Sequence, residues 1–357
     1  MDINKIQVVD VFCGVGGLTH GFQQAGLKVI AGIDSDLSCK YAYEHNNDSK
    51  FIHADITAIL PETINDLYYH ESIRVIAGCA PCQPFSSHTQ KYKPDNNDSR
   101  WGLLTYFRDI ALHILPDILT IENVPRLMKE AIFLEFVAAL DKQGYKVWWD
   151  TIHCSQFGIP QSRTRLVLLA SKLGEISMLP PTHESNQYLK VSDIIADLSR
   201  INAGDTDKND PLHRAAGLTE LNLRRIRQSI PGGSWRDWDK DLMLPCHKRK
   251  TGHSYASIYG RMSWNQLAPT ITTQFYSIGT GRFGHPEQDR GLSLREGALL
   301  QTFPPDYQFY DLGKPLPLSV IARHVGNAVP VRLGYIIGKS IIEHLHKVHD
   351  PSNTSIH

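Results

Sequence analysis

Ile6-Gln7-Val8-Val9-Asp10-Val11-Phe12-Cys13-Gly14-Val15-Gly16-Gly17 begins the first regular pattern in the chain. A β-rich run, Ile6 to Phe12, meets a Gly-x-Gly-Gly turn, and a helical pattern follows from Leu18 to Ala25, ending near Gly26. A strand, a glycine-rich turn and a helix let backbone approach a ligand closely. Asp34 ends the next strand twenty residues after Gly14, the spacing at which a carboxylate accepts hydrogen bonds from both hydroxyls of a ribose. Asp55 follows the third strand. The turn departs from the dinucleotide pattern Gly-x-Gly-x-x-Gly, which argues against a pyrophosphate and for an adenosyl group without phosphates. Taken alone, the segment also reads as an ordinary tight turn, and Asp34 and Asp55 as caps or surface acids.

The alternation continues outward from this segment. Lys28 to Ile33, Arg74 to Ala77, Asp117 to Ile121, Tyr145 to Cys154 and Arg165 to Ala170 read as strands, with helices over Leu37 to His45, Leu103 to Leu115 and Met128 to Leu140. Such alternation predicts an α/β fold with a mainly parallel sheet covered on both faces and ligands beyond the carboxyl ends of its strands. After Ser171 the pattern breaks into Pro, Gly, Asn and Asp punctuation. The expected organisation is a large lobe over 1–178, a smaller irregular or β-rich lobe over 179–290, and a return to the first lobe over 291–357, where Leu294 to Thr302 and Val331 to Leu345 look helical. The tail from Asp350 reads as disordered.

Net charge is zero, but between 211 and 265 ten Lys and Arg face four acids, while the first seventy residues are acidic. A basic stretch of that kind is either a solvated surface or a footprint for nucleic acid. No run approaches the roughly 20 apolar residues that span a bilayer, and the N-terminus has no signal-peptide pattern, so a soluble intracellular protein, off the membrane, is expected. Of six cysteines only Cys79 and Cys82 are close in sequence, and reduced thiols are expected. His344, His346 and His349 are not spaced to place three ligands on one helix face, and no metal is expected.

The strand Arg74 to Ala77 runs into Gly78-Cys79-Ala80-Pro81-Cys82-Gln83-Pro84-Phe85-Ser86. Flanking prolines fix the backbone and present a thiol at a strand end. Cys-Ala-Pro-Cys is also the spacing of a thiol–disulfide oxidoreductase, although Pro84 and the serines after it suggest a loop where that reading needs a helix. Two buried structural cysteines are the plainest alternative. Further along, Asp117 to Ile121 delivers Glu122-Asn123-Val124-Pro125, and Gln161-Ser162-Arg163-Thr164-Arg165 precedes another strand. A thiol, a carboxyl and a guanidinium at adjacent strand ends can hold a cytosine, with the carboxyl facing N3 and N4, an arginine facing O2 and the thiol approaching C6.

With these stretches in view, the chain resembles the DNA cytosine-C5 methyltransferase family, specifically its bacterial restriction–modification type. Asp10 to Gly17 looks like the family's cofactor motif, Ala80 to Ser86 its nucleophile loop, Glu122-Asn123-Val124 its base-binding motif and Gln161 to Arg165 its arginine motif. Arg295 to Pro304 and Gly326 to Pro330 are similar to its two closing motifs. Six matches in the family's own order carry far more weight than any single short motif. Ala80 stands where many relatives carry proline.

The resemblance implies a Rossmann-like S-adenosylmethionine-dependent methyltransferase fold with a target-recognition domain over the irregular basic lobe. It implies Cys82, Glu122, Arg163 and Arg165 as catalytic residues. Phe12 would pack on the adenine of S-adenosylmethionine, Asp34 bind its ribose and Asp55 its amino group. Asn327 would help hold the methionine end, with Gly14, Gly16, Gly17, Ile56, Pro81 and Val329 lining the same site. Arg295 and Glu296 would be structural. DNA contacts are expected from Ser86, Ser87, Arg100, Arg224, Arg225, Arg227, Arg236, Lys248, Arg249, Arg261 and Thr272, with the polar stretch 86–100 as a lid over an extruded cytosine. The partners implied are double-stranded DNA and a separately acting restriction endonuclease, and a monomer is expected. A tRNA cytosine methyltransferase is the nearest rival, opposed by the large basic lobe and the absence of Cys-Phe-Thr. A catalytically silent nucleic-acid-binding protein is opposed by Cys82, Glu122 and Arg163.

Overall fold

The structure, a computed structural model, describes residues 5–81, 102–249 and 256–350. By their contacts these fall into two compact units, the first made of residues 1–157, 164–182 and 329–357 and the second of 158–163 and 183–328. Cys82, Ser86, Ser87, Arg100 and the proposed lid 86–100 lie outside the described residues.

Among the described residues, unit 1 has seven strands: β1 (Ile6–Val11), β2 (Lys28–Asp34), β3 (Lys50–His53), β4 (Ile73–Gly78), β5 (Ile118–Asn123), β6 (Lys146–His153) and β7 (Thr164–Ser171). Their order is β3-β2-β1-β4-β5-β7-β6. The pairings from β3 through β5 are parallel, and β7 runs antiparallel to both β5 and β6. β1 is buried at every position, as befits a central strand covered on both faces. The chain winds outward from β1 to β3 and then returns to β4 on the other side of β1. A sheet opens a crevice beyond the carboxyl ends of its strands at such a reversal.

Helices α1 (Gly17–Ala25), α2 (Lys40–Asn46), α3 (Pro61–Asn65), α4 (Gly102–Ile114), α5 (Ala131–Lys142) and, from the far end of the chain, α10 (Val331–His349) belong to the same unit. α10 joins it by packing on α1. A Cβ on Gly21 would fall 2.3 Å from the Val331 carbonyl oxygen, so only glycine permits the approach. The helical pattern over 128–140 is divided in fact: a 3-10 turn, Pro125–Lys129, is separated from α5 by Glu130, whose backbone is extended.

Unit 2 holds α6 (Ser192–Ile195), α7 (Glu220–Gln228), α8 (Leu294–Leu300) and α9 (Leu318–Asn327). Among the described residues its extended pieces meet only in isolated bridges such as Pro231 with Arg261 and Arg261 with Gly284. Buried polar groups organise it instead. The segment 291–328, expected to rejoin the first lobe, clusters with unit 2. The reason is hydrogen bonding over long sequence distances: Arg295 donates to Asp210 at 2.6 and 3.0 Å, and the backbone N–H of Leu294 donates to the Arg214 carbonyl at 3.1 Å. Gln161, in turn, donates to the Leu300 carbonyl at 2.7 Å.

Candidate active site

β1 ends in a turn whose backbone departs from the ordinary regions at Phe12 (φ 64), Gly14 (φ 51) and Gly16 (φ 89). The two glycines take the left-handed conformation without a Cβ penalty, whereas Phe12 is held there against its preference. The Phe12 N–H donates to the Ile33 carbonyl at 2.8 Å, tying the turn to β2. Asp34, the last residue of β2, receives the Gly14 N–H on Oδ2 and the Asp36 N–H on Oδ1, both at 2.8 Å. Burial raises the Asp34 carboxyl above its usual range, and those backbone donors oppose the rise. Each oxygen keeps a lone pair for a further donor. A Cβ built on Gly14 would meet nothing within 4 Å, so there is open room above the turn. Room and an acceptor pair fit an adenosyl ribose.

Asp55 is exposed and receives the Thr57 N–H and hydroxyl, each at 2.9 Å, while Ile56 beside it is buried. Pro81 is exposed and Phe12 half-buried, its ring centre 6.5 Å from that of Phe107 on α4. Val329 is buried in unit 1, and Asn327 is exposed at the end of α9 in unit 2.

Beneath the turn lies a buried acid that the sequence reading did not single out. Asp10 accepts the Thr19 hydroxyl on Oδ2 at 2.7 Å, and its buried Oδ1 has no hydrogen-bond partner. Burial pushes its carboxyl up to about 7. Its sequence signal was an acid inside an apolar strand.

Several of the candidate residues collect at the exits of β4 and β5. Gly78 is level with Ile121, so Cys79 emerges next to Glu122. Cys79 Sγ lies 3.0 Å from Glu122 Oε2, as donor to acceptor. Because β7 is antiparallel, its first residues share this edge, and Glu122 pairs with Val167. Residues two apart in a strand point to one side, which puts Arg165 on the same face as Glu122. Arg165 Nε stands 2.9 Å from Glu122 Oε1, close enough for an ion pair, yet Oε1 accepts no hydrogen bond. Glu122 is 3% exposed. Asn123 donates to the Ala80 carbonyl at 3.0 Å, and its own Oδ1 receives the Val124 N–H at 2.8 Å. Asn123 thereby braces the start of the loop that leads to Cys82. Arg163 belongs to unit 2, buried, with Nη1 donating to the Ile271 carbonyl at 3.4 Å. Arg165, on β7 of unit 1, pairs with the acid.

Among the residues expected to contact DNA, two have another task. All five N–H donors of Arg261 are directed inward, to the carbonyls of Ser229, Ile226, His285 and Gln288 and to the Asp289 carboxylate. Arg225 is buried as well, donating to the Leu242 carbonyl at 3.1 Å and lying over the rings of Trp238 and Tyr259. Both are struts of unit 2, a correction that follows from burial: a cation removed from water has to spend its donors locally. Arg224 and Arg227 are exposed and paired with Asp241 and Asp289, and Arg236 lies over the Trp235 ring. Lys248, Arg249 and Thr272 are exposed.

A mainly parallel seven-stranded sheet with helices, opening on a glycine turn after β1, is the Rossmann-like fold of S-adenosylmethionine-dependent methyltransferases. The sequence model of the C-5 cytosine-specific DNA methylase family matches residues 6–343, and the chain belongs to that family. It is an enzyme, a DNA (cytosine-5-)-methyltransferase. It is 47% identical over 352 residues to the Type II methylase M.HgiDII of Herpetosiphon aurantiacus, covering 98% of each chain. To the Type II methyltransferase M1.BsuMI of Bacillus subtilis it is 32% identical over 359 residues, which cover 93% of this chain and 79% of the relative. A solved structure from E. coli, described as a DNA modification methyltransferase encoded within a prophage, matches the fold with a TM-score of 0.72 at 20% identity, over 96% of this chain and 99% of that one. No helix among the described residues is long and apolar enough to cross a membrane.

Proposed function

We propose that this methyltransferase takes its methyl group from S-adenosylmethionine and delivers it to C5 of a cytosine extruded from duplex DNA, through a covalent bond between Cys82 and C6. The observation that carries the reading is the convergence of Glu122 and Arg165 at the sheet edge where the Cys79 to Cys82 loop departs. Asp34 and the Gly14 to Gly17 turn would hold the adenosyl ribose, with Phe12, Asp55, Ile56, Pro81 and Val329 completing the contacts that unit 1 offers the cofactor. When bound, the cofactor supplies an electrophilic methyl on sulfonium.

Cytosine C5 is a poor nucleophile within an aromatic ring. Cys82 thiolate adds to C6 and forms the S–C6 bond, while Glu122 donates a proton toward N3 and Arg165 holds O2. C5 then has enamine character and can take the methyl group. Loss of the C5 proton to a base restores the ring and expels the thiolate. The reacting atoms are inaccessible in a stacked duplex, so the base must swing out, at a cost of a few kcal/mol. Phosphate contacts from exposed cations of unit 2, including Arg236, Lys248 and Arg249, would offset that cost. The Type II designation of the relatives supports a role in protecting DNA from a companion restriction endonuclease.

A duplex carrying 5-fluorocytosine at the target should trap the enzyme covalently when S-adenosylmethionine is present, because fluorine at C5 blocks the last elimination. Bisulfite mapping of methylated mixed-sequence DNA defines that target beforehand. Cys82→Ser should abolish the adduct, and a trapped Cys82→Ser protein would refute the assignment. Methyl transfer to tRNA in preference to duplex DNA would overturn the substrate.

A further inference from the structure

We propose that Cys79 is a positioning residue that makes the pocket select cytosine over a base with oxygen at C4. Its thiol holds Glu122 Oε2 as an acceptor, so that this oxygen receives the cytosine N4–H. The proposal rests on the reading of Glu122 as the carboxyl that faces N3 and N4.

Three observations support it. Cys79 Sγ is 3.0 Å from Glu122 Oε2, placed there by the register that sets Gly78 level with Ile121. Glu122 is 3% exposed, so water does not compete for its oxygens. Oε1 lies 2.9 Å from Arg165 Nε and accepts no hydrogen bond. The groups therefore run in the order Arg165, Oε1, Oε2, Cys79.

The edge of cytosine presents O2, N3 and N4 in sequence: acceptor, acceptor, donor. Arg165 suits O2, and Oε1 suits a proton shared with N3. Oε2 is left for N4–H. Uracil presents O2, N3–H and O4, and binding it in the same pose requires the carboxyl to reverse, with Oε1 accepting and Oε2 donating. A thiol that already donates to Oε2 favours the first arrangement and opposes the second. A carboxyl without that neighbour pays less to reverse. A site built to hydrogen-bond one pattern discriminates strongly because the wrong base leaves buried polar groups unpaired.

The test uses the full-length enzyme and duplexes with cytosine or uracil at the mapped target position. Affinity is measured by fluorescence anisotropy with S-adenosylhomocysteine present, alongside kcat and KM on the cytosine duplex. Cys79→Ala should reduce the preference for cytosine about tenfold, the scale of one buried hydrogen bond, and lower kcat with KM for both substrates unchanged. Cys79→Ser, which restores a donor, should return the preference to within about threefold of wild type. Should Cys79→Ala fail to fold, Cys79→Val removes the donor while retaining bulk and carries the same expectation. A wild-type preference and kcat in the donor-less variant would overturn the proposal, since a merely structural thiol would leave discrimination untouched. Glu122→Gln distinguishes the underlying reading: undiminished methylation by that variant would remove Glu122 from the chemistry, whatever Cys79 does.

Discussion

Replacing Glu296 by Gln should cost unit 2 about 4 kcal/mol. Glu296 and Arg290 are both 0% exposed. The guanidinium donates to both carboxylate oxygens, at 2.8 and 2.7 Å, and the Ser293 N–H donates to Oε2 at 2.7 Å, closing a capping box at the start of α8. Burial alone would raise the Glu296 carboxyl, but the Arg290 guanidinium holds it below its usual value. Gln preserves the volume and removes the charge, leaving a buried cation without its counter-ion. Breaking a buried pair from one side costs about 3–5 kcal/mol. His285, 3.6 Å away, cannot compensate, because burial keeps it neutral with its pKa lowered to about 4. For a unit of this size the loss corresponds to a midpoint lower by roughly 10 °C. Thermal and urea unfolding followed by tryptophan fluorescence, with Trp235, Trp238 and Trp264 as reporters within unit 2, reads it directly. Glu287→Gln is the control, breaking a pair with Arg200 whose side chains are 69% and 55% exposed, and it should leave the midpoint close to wild type. A loss below about 1 kcal/mol in Glu296→Gln would refute the argument that this charge pair organises the unit.

Three further outcomes follow from buried or exposed charge. Because the folded pKa of His285 is depressed from 6.5 to about 4, the stability it contributes is present above pH 6.5 and is lost as pH falls toward 4, on the order of 3 kcal/mol; urea melts of His285→Asn with a flatter acid limb would confirm it, and an unchanged limb would not. Asp10 behaves in the opposite sense. Its carboxyl is raised from 3.8 to about 7, so the penalty for charging it is absent at low pH and complete above pH 7. Asp10→Asn should therefore stabilise the fold by up to about 4 kcal/mol at pH 8 and much less near pH 4, and a gain independent of pH in urea unfolding would contradict this. Arg249→Ala should weaken duplex binding with a salt slope reduced by roughly one, whereas Arg261→Lys should lower the unfolding midpoint and leave that slope alone; the reverse pattern in anisotropy titrations would return Arg261 to the DNA surface.

The strand and helix alternation of unit 1 was legible because hydrophobic periodicity and glycine punctuation are local properties. β1, β2, β4, β5 and β7 start and stop within a residue or so of where the apolar runs do, and the turn at Gly14 to Gly17 announced its own conformation. Chemical candidates were legible for a related reason: Glu122 and the two arginines stand at strand ends, where a mainly parallel sheet gathers its functional groups. The periods of unit 2 were less informative, since its stability resides in buried arginines and acids that carry no repeat.

What the residue order settled by itself was the type of each element and the side chains available to the site. Tertiary structure alone decided which of them meet. Turning β7 antiparallel beside β5 delivers Arg165 to Glu122, and the level pairing of β4 with β5 converts Cys79 from a neighbour of Cys82 into a partner of the acid. Burial reassigned Arg225 and Arg261 from DNA to the framework, and hydrogen bonds spanning more than a hundred residues, such as Gln161 to Leu300, drew 291–328 into unit 2. Each of these depends on register and desolvation between distant segments, quantities that no window of local sequence contains.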